Sequence, residues 1–172
     1  ALWSRDNHNA KSKLDEAIQV TRTGLNETRR ALQALRAAPL EDLGLCLAIK
    51  QLAHNASARS GASLSLTLPE VCLDIPVDIS QAFYRASQEA LENIVRHANA
   101  KHISLDLNKN EHSLSMQITD DGIGFDPTQV SENQYGLKGL MERAERINGS
   151  CEIISQPHGG TKIIFRSGGV GL

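Results

Sequence analysis

The sequence predicts an α+β fold: a two-layer α/β sandwich whose mixed, mostly antiparallel sheet carries helices on one face, preceded by a helical stalk segment. Three observations predict it. Segments with alternating apolar residues lie mostly in the second half of the chain, where two pairs are joined by short polar turns. Longer segments with helical periodicity stand before and between these pairs, and a heptad seam occupies the start. Strands and helices in this order favour one antiparallel-rich sheet with its helices on one side.

The heptad seam lies in a helix predicted over 11–38, which ends at Pro39. Its positions recur at steps of four and three, and they are Leu14, Ile18, Thr21, Leu25, Thr28, Leu32 and Leu35. One helix cannot bury such a stripe alone, so the seam favours the stalk of a helical-bundle dimer. An amphipathic helix packed on its own domain is the alternative. We assign residues 1–40 to the stalk, 41–168 to a second domain and 169–172 to a tail.

The second domain is predicted to begin with a helix at 41–61 that ends near Gly61, followed by a strand at 62–68. A short extended piece at 69–76, bounded by two prolines, leads into a long helix from about 78 to 98. This long helix separates the first strand from the rest of the predicted sheet.

The remainder of the domain alternates strands with a single helix. Alternating apolar residues around 103–107 and 114–118 predict a hairpin, because the stretch between them is polar. After it the sequence predicts a polar, glycine-rich loop at 120–138, a helix at 139–148 and two last strands at 151–155 and 161–166.

Composition and charge argue against several classes of protein. The formal net charge of −2 argues against a nucleic-acid binder, whose affinity usually comes from a basic surface. No apolar run approaches the ~20 residues that a membrane helix needs, and no signal peptide is visible. The chain begins in a polar sequence without Met, so we expect a piece of a longer protein. Cys46, Cys72 and Cys151 are far apart without CxxC spacing, which predicts free thiols in a reducing compartment.

The helix at 78–98 has an apolar arc and an opposite polar arc. The polar arc consists of Arg85, Glu89, Glu92, Asn93, Arg96 and His97. A polar arc standing alone indicates a solvated helix face, so its meaning depends on the stretches that follow it.

Three glycine-containing stretches follow the polar arc. The run at 120–125 places two Asp residues at the end of a strand, before Gly122 and Gly124. Such glycines allow a sharp turn and a close approach of the backbone to a ligand, and the carboxylate can accept a hydrogen bond from an amino group. The stretch at 135–140 opens a helix whose free backbone N–H groups suit phosphate. The stretch at 159–163 is a turn into the last strand.

In this order the stretches resemble the nucleotide-binding boxes of the histidine kinase, gyrase, Hsp90 and MutL ATPase superfamily. Residues 88–98 (QEALENIVRHA) resemble the asparagine-containing box, 120–124 (DDGIG) the first glycine box and 136–144 (GLKGLMERA) the second. The forms QEALxN…HA and GLxGLxERA are similar to two-component sensor histidine kinases of the nitrate/nitrite-sensor-like subfamily. Residues 28–45 are also similar to that group, where the second helix of the dimerisation and phosphotransfer hairpin joins the ATPase domain. The stalk would then be part of that second helix.

The resemblance implies roles for residues of the polar arc. Asn93 would hold a Mg²⁺ ion that bridges the ATP phosphates. Glu89, one turn earlier, would polarise the reacting group or order a metal-bound water. Arg96 and His97 would meet the charge of the phosphates. Glu89 and Asn93 are thus the implied catalytic residues, and Asn93 is the implied metal ligand.

The glycine boxes carry the other implied contacts. Asp120 would accept a hydrogen bond from the adenine amino group, and Thr161 would support that contact. The segment 125–136 would act as a lid over ATP. Residues that would lie close to the nucleotide along the two glycine boxes are Gly122, Gly124, Gly136, Leu137, Gly139 and Leu140.

The resemblance implies an ATP-dependent protein-histidine kinase with ATP and Mg²⁺ as cofactors. This chain would donate the γ-phosphoryl group to a histidine on a dimerisation helix that is absent from it, for relay to an Asp of a response regulator. That regulator would carry a helix-turn-helix output. The full-length protein would be a homodimer in the bacterial inner (cytoplasmic) membrane, with this part in the cytoplasm and membrane contact only through missing N-terminal segments. No nucleic acid is implied as a partner of this chain.

The sequence departs from the subfamily at the acceptor histidine, which should precede an acidic residue. His8 is followed by Asn9 and is interpreted as part of a loop, and His54 lies in the helix after the hairpin. We therefore expect the acceptor to lie upstream of Ala1. Two alternatives stay open: a hydrolysing ATPase of the same superfamily, and a non-catalytic nucleotide-binding adaptor.

Overall fold

The computed structural model describes residues 13, 21, 24, 38–69, 75–110, 112–127 and 135–169. The chain divides into two units, Ala1–Glu41 and Asp42–Leu172. The described residues of the first unit are helical, but Thr21 is the only seam position among them. The predicted stalk therefore lies largely outside the described residues and stays a prediction.

Helix α1 spans Ala38–Ser60, so it begins three residues before the predicted helix at 41–61 and ends where predicted. Gly44 interrupts its helical geometry with a φ of 74° and a ψ of 170°. Gly61 ends the helix in the left-handed conformation, with a φ of 75°, and its N–H donates to the Ser57 carbonyl at 2.9 Å. Glycine is favoured here because this backbone conformation is unfavourable for other residues.

Five strands form one sheet in the order β1-β2-β3-β5-β4. They are β1 Ser63–Thr67, β2 His102–Lys109, β3 Leu114–Asp120, β4 Ser150–Ser155 and β5 Thr161–Arg166. β1 pairs with β2 in parallel, and every other neighbouring pair is antiparallel. Parallel neighbours need a long crossover, and here it contains the long helix predicted between them. The predicted mixed, mostly antiparallel sheet is confirmed.

Helix α2 spans Val77–Asn93 and continues as one π-helical turn, Ile94–Ala98. Its Phe83 ring meets Phe165 of β5 edge to face, with ring centroids 4.9 Å apart. The sheet face beneath α2 buries alternate residues of three strands, namely Ile103, Leu105, Leu107, Leu114, Met116, Ile118, Ile163 and Phe165. The residues between them are mostly polar and less buried. The α+β sandwich with helices on one face is therefore confirmed.

Helix α3 spans Tyr135–Arg146, so it begins four residues before the predicted start at 139. The predicted loop at 120–138 is correspondingly too long. Gly136 and Gly139 are poor helix formers, which is why the sequence indicated a loop. Leu140 and Ala144, one turn apart, are buried in the core, and packing of such an apolar face outweighs weak propensity in the first turn.

The cysteines differ in state. Cys151 is a free thiol, and burial raises its pKa to about 11. Cys46 is disulfide-bonded. The prediction of free thiols is therefore right for Cys151 and wrong for Cys46, because separation along the chain does not determine separation in the fold.

No helix in the part of the chain that the structure describes has the length and apolar character to cross a membrane.

Candidate functional site

The polar face of α2 meets the first turn of α3. Glu89 and Asn93 lie one turn apart on this face and are partly buried. Gly136 of α3 stands directly against them: a Cβ at this position would overlap Glu89 Oε1 and lie 3.5 Å from Asn93 Nδ2. The structure therefore brings the asparagine-containing box and the second glycine box into contact, and a side chain at position 136 would displace Glu89.

Arg96 and His97 lie in the π-helical turn at the end of α2, and both are exposed. Arg96 Nε donates to Glu92 Oε1 at 2.6 Å, and Arg59 of α1 holds the other Glu92 oxygen at 2.8 Å. The hydrogen bond from Arg59 holds the pKa of the Glu92 carboxyl below its usual range, although burial opposes the shift. Arg96 thus contacts Glu92 here. The i,i+4 spacing predicts that pair, but no sequence pattern indicates the contact with Arg59.

Asp120 ends β3 on the helix-covered side of the sheet, with only 5% of its surface exposed. Its Oδ1 accepts a hydrogen bond from the Gly122 N–H at 2.9 Å. Burial raises the pKa of the Asp120 carboxyl, while the N–H groups of Gly122 and Thr161 partly offset the shift and the charge of Asp121 adds to it. A buried carboxylate of this kind favours a ligand that donates hydrogen bonds, because burial penalises an uncompensated charge.

The first glycine box packs tightly on the end of α2. The Ile123 N–H donates to the Ala98 carbonyl at 2.8 Å. A Cβ at Gly122 would overlap that carbonyl oxygen and lie 2.7 Å from Asp120 Oδ1. Any side chain at position 122 would therefore move Asp120 or the end of α2, which explains the glycine.

Asp121 connects the first glycine box to the start of β2 by hydrogen bonds. Its exposed carboxylate accepts hydrogen bonds from the backbone N–H groups of Lys101 at 2.7 Å and His102 at 2.8 Å. The His102 N–H foremost, and then that of Lys101, hold the pKa of the Asp121 carboxyl below its ordinary value. No sequence pattern indicated this role of Asp121. Its carboxylate meets the two N–H groups at the start of β2 only once the chain is folded.

The folded pKa of Asp121 is lowered, so its stabilisation is present above the unfolded pKa of about 4 and is lost as pH falls through the folded value. We expect Asp121→Asn to lower the free energy of unfolding at pH 7 by about 1 kcal/mol or less, because solvent screens this exposed group. The deficit should shrink toward zero near pH 3. Urea unfolding at both pH values measures it, with Asp106→Asn as the control. If Asp121→Asn lowers the free energy of unfolding by the same amount at pH 7 and pH 3, the charge of Asp121 is not what stabilises the loop.

Thr161 lies beside Asp120, because the two are register partners in the β3–β5 pair. Ser155 Oγ links this region: it donates to the Gly160 carbonyl at 2.8 Å, accepts from the Phe125 N–H at 3.0 Å and lies 3.1 Å from Thr161 Oγ1. No sequence pattern indicated Ser155, which lies on the neighbouring strand β4.

Gly124 and Gly160 both have positive φ, at 57° and 71°. A Cβ at Gly124 would overlap the Gln156 carbonyl oxygen, and one at Gly160 would overlap that of Asp120. These two glycines let the β4–β5 turn lie directly against the first glycine box.

The rest of the second glycine box has mixed surroundings. Leu140 is fully buried, so its side chain belongs to the core, and Leu137 is partly buried. A Cβ at Gly139 would meet only Arg143, at 4.0 Å from Nη2. Much of the predicted lid at 125–136 lies outside the described residues.

No group of three or more metal-ligating His, Cys, Asp or Glu side chains occurs among the described residues. Mg²⁺ does not need one, because it prefers oxygen ligands and usually binds through one or two protein groups plus waters and substrate phosphates. The carboxamide oxygen of Asn93 and the carboxylate of Glu89, which lie one turn apart beside Gly136, fit that requirement.

Comparisons with known proteins agree with this geometry. Residues 78–167 match the family model described as "Histidine kinase-, DNA gyrase B-, and HSP90-like ATPase". The chain is 30% identical over 159 residues to the signal transduction histidine-protein kinase/phosphatase DegS of Brevibacillus brevis, covering 88% of this chain and 41% of that protein. It is 30% identical over 157 residues to the sensor protein VraS of Staphylococcus saprophyticus, covering 89% of this chain and 45% of VraS. The chain thus spans less than half of these relatives.

The ATP-binding domain of PrrB from Mycobacterium tuberculosis superposes with a TM-score of 0.58 at 22% identity, covering 73% of this chain and 93% of that one. A histidine kinase domain from Erythrobacter litoralis superposes with a TM-score of 0.60 at 16% identity, covering 70% and 58%. These similarities show a shared fold, and the family match spans just over half of the sequence. The chain belongs to the family of histidine kinase-, DNA gyrase B- and HSP90-like ATPases, with sensor histidine kinases as its relatives.

Proposed function

We propose that this chain is the ATP-binding catalytic part of a two-component sensor histidine kinase, which binds Mg-ATP and donates the γ-phosphoryl group to a histidine outside the chain. One observation carries the proposal. Glu89 and Asn93 lie directly against Gly136 at the start of α3, and Asp120, at the end of β3 beside the first glycine box, is a buried carboxylate. A nucleotide has matching chemistry, with hydrogen-bond donors on its base and anionic oxygens on its phosphates.

In this proposal Asp120 accepts from the adenine amino group, with Thr161 beside it. Gly122 and Gly124 let the backbone approach the nucleotide. Asn93 holds Mg²⁺, which neutralises phosphate charge when bound. The backbone at the start of α3, from Gly136 to Leu140, borders the phosphates, since free N–H groups at a helix N-terminus favour anions.

Glu89 lies one turn before Asn93, beside the phosphate space. In this proposal its carboxylate polarises the incoming imidazole, so that the ring nitrogen attacks the γ-phosphorus in line with the leaving oxygen; if Mg²⁺ is bound, the same carboxylate would order a water on it. Phosphoryl transfer needs little covalent chemistry from the protein, so most of the acceleration comes from positioning and charge neutralisation. Arg96 and His97, both exposed at the end of α2, contact the phosphates.

The partner of this chain is a response regulator, as its similarity to two-component sensor kinases implies. We propose further that the regulator has a helix-turn-helix output, that the full-length protein is a homodimer, and that this part lies in the cytoplasm while upstream segments cross the membrane. We also propose that residues 1–40 contribute the second helix of the dimerisation hairpin.

The test is a transfer assay with radiolabelled Mg-ATP and a separately supplied dimerisation domain from a related kinase. We expect acid-labile phosphate on that domain, and none when its acceptor histidine is replaced by glutamine. Release of free phosphate without transfer would instead favour a hydrolysing ATPase. Nucleotide binding with neither activity would favour an adaptor.

A further inference from the structure

Two arginines, one on α2 and one on α3, lie outside the stretches of these helices assigned to the nucleotide site. Arg85 lies one turn before Glu89 on the same face of α2. Its Nη1 donates to Gln88 Oε1 at 3.0 Å, and its guanidinium lies 5.8 Å from the centre of the Tyr84 ring. Arg143 comes from α3, two turns after Gly136. The nucleotide roles proposed above use neither arginine.

Gly136 of α3 lies against Glu89 and Asn93 of α2, and α3 continues from there to Arg143. Burial first, and then the charge of Arg143, lower the pKa of Arg85, while Tyr84 opposes the shift. Both guanidinium groups are partly buried, and a phosphoryl anion that contacts both would offset the cost of that burial.

Arg143 folds back toward the start of α3. Its Nη2 lies 4.0 Å from the position that a Cβ of Gly139 would take, so the guanidinium lies beside the first turn of α3. Its Nε is buried and has no hydrogen-bond partner among the described residues. A buried guanidinium N–H without an acceptor is unfavourable, and it indicates a place for an oxyanion.

We propose that Arg85 and Arg143 together bind the terminal phosphoryl group of ATP, an inference that rests on the proposed function. Asn93, Glu89 and Arg85 succeed one another at one-turn intervals along the same helix face. A triphosphate anchored at Asp120 and Asn93 extends past Glu89 toward Arg85. The forked donors of guanidinium groups suit phosphoryl oxygens.

The proposal has a functional consequence. Contacts made only to the γ-phosphoryl group favour ATP over ADP, because ADP lacks that group. Arg85 and Arg143 would therefore bind ATP, the substrate, more tightly than ADP, the product. It would also neutralise the charge that spreads over the transferred group in the transition state.

The experiment measures the dissociation constants of Mg-ATP and Mg-ADP for the 172-residue chain, by displacement of a fluorescent nucleotide. Arg143→Gln and Arg85→Gln are compared with wild type and with Arg146→Gln, an exposed arginine at the end of the same helix. We expect each of the first two variants to weaken ATP binding about 10-fold, as for loss of a charge-assisted hydrogen bond, with ADP binding nearly unchanged. Arg146→Gln should change neither.

Three outcomes would overturn the proposal. Equal weakening of ATP and ADP in folded variants would show that the arginines act on the structure of the site. Unchanged affinity of the variants for both nucleotides would show that the arginines do not hold the terminal phosphoryl group of bound ATP. Wild type that binds neither nucleotide would overturn the proposed function itself, and this inference with it.

Discussion

Asn93→Ala is expected to abolish Mg-dependent ATP binding and phosphoryl transfer, with a loss of about 100-fold or more, as for removal of one preorganised electrostatic group from an active site. The carboxamide oxygen of Asn93 is a neutral, hard ligand beside the carboxylate of Glu89. Without the Asn93 oxygen the site would hold Mg²⁺ more weakly, and the negative charges of Glu89 and the phosphates would repel each other. Kinetics of transfer to a supplied dimerisation domain, and ATP titration with and without Mg²⁺, measure the loss.

The same variant should fold normally. Asn93 lies at the end of α2 and is only partly buried, and alanine is the best helix former. Its unfolding midpoint should therefore match wild type within error. Asn108→Ala, at an exposed position on the far face of the sheet, is the matched control and should bind Mg-ATP as wild type does. If Asn93→Ala retains both binding and transfer, the metal-ligand assignment is wrong.

Asp120→Asn is expected to weaken ATP binding about 10- to 100-fold, the effect of losing a hydrogen bond to a charged acceptor. The neutral side chain would also turn an amide N–H toward the adenine amino group if its oxygen stays on the Gly122 N–H. Displacement of a fluorescent nucleotide measures the change in affinity. Asp106→Asn, on the open face of the sheet, is the control and should leave the affinity unchanged.

Although Asp120→Asn should weaken ATP binding, it should not lower the free energy of unfolding. Burial raises the pKa of Asp120, so the charged form is disfavoured in the folded state. A raised folded pKa means that stability is complete below the unfolded value and declines as pH rises through the folded value. At pH 7 the wild-type carboxylate is therefore unfavourable for folding, and asparagine removes that penalty. Urea unfolding at pH 7 should show Asp120→Asn to be at least as stable as wild type; tight ATP binding or a large drop in stability would contradict the assignment.

Periodicity predicted the strands well because alternate residues of a sheet face opposite environments. Ile103, Leu105 and Leu107 are fully buried while the residues between them are not, and the predicted hairpin follows from that alternation. The start of α3 was predicted too late, because the periodicity argument considers local residues alone. Gly136 and Gly139 have weak local preference for helix, and the burial of Leu140 that offsets it depends on a core built by distant segments.

The glycine boxes were predictable because each needs a particular residue type at a short spacing. Gly122 is required by the Ala98 carbonyl and Gly124 by a positive φ, and both constraints appear in the sequence as glycine. Thr161 was predicted beside Asp120 through family resemblance, and the strand register places it there. The assignment of roles to these residues stays a proposal that the nucleotide experiments test.

The sequence by itself determined the fold class, the order of strands and helices along the chain, and the residues that carry the nucleotide boxes. These features depend on local periodicity and on residue types that local backbone geometry demands. Only the tertiary structure decided which side chains meet across elements: Asp121 with the start of β2, Ser155 with Phe125, and Arg59 with Glu92. Such pairings depend on how helices and strands far apart in sequence pack together, and residue spacing along one chain does not contain that information.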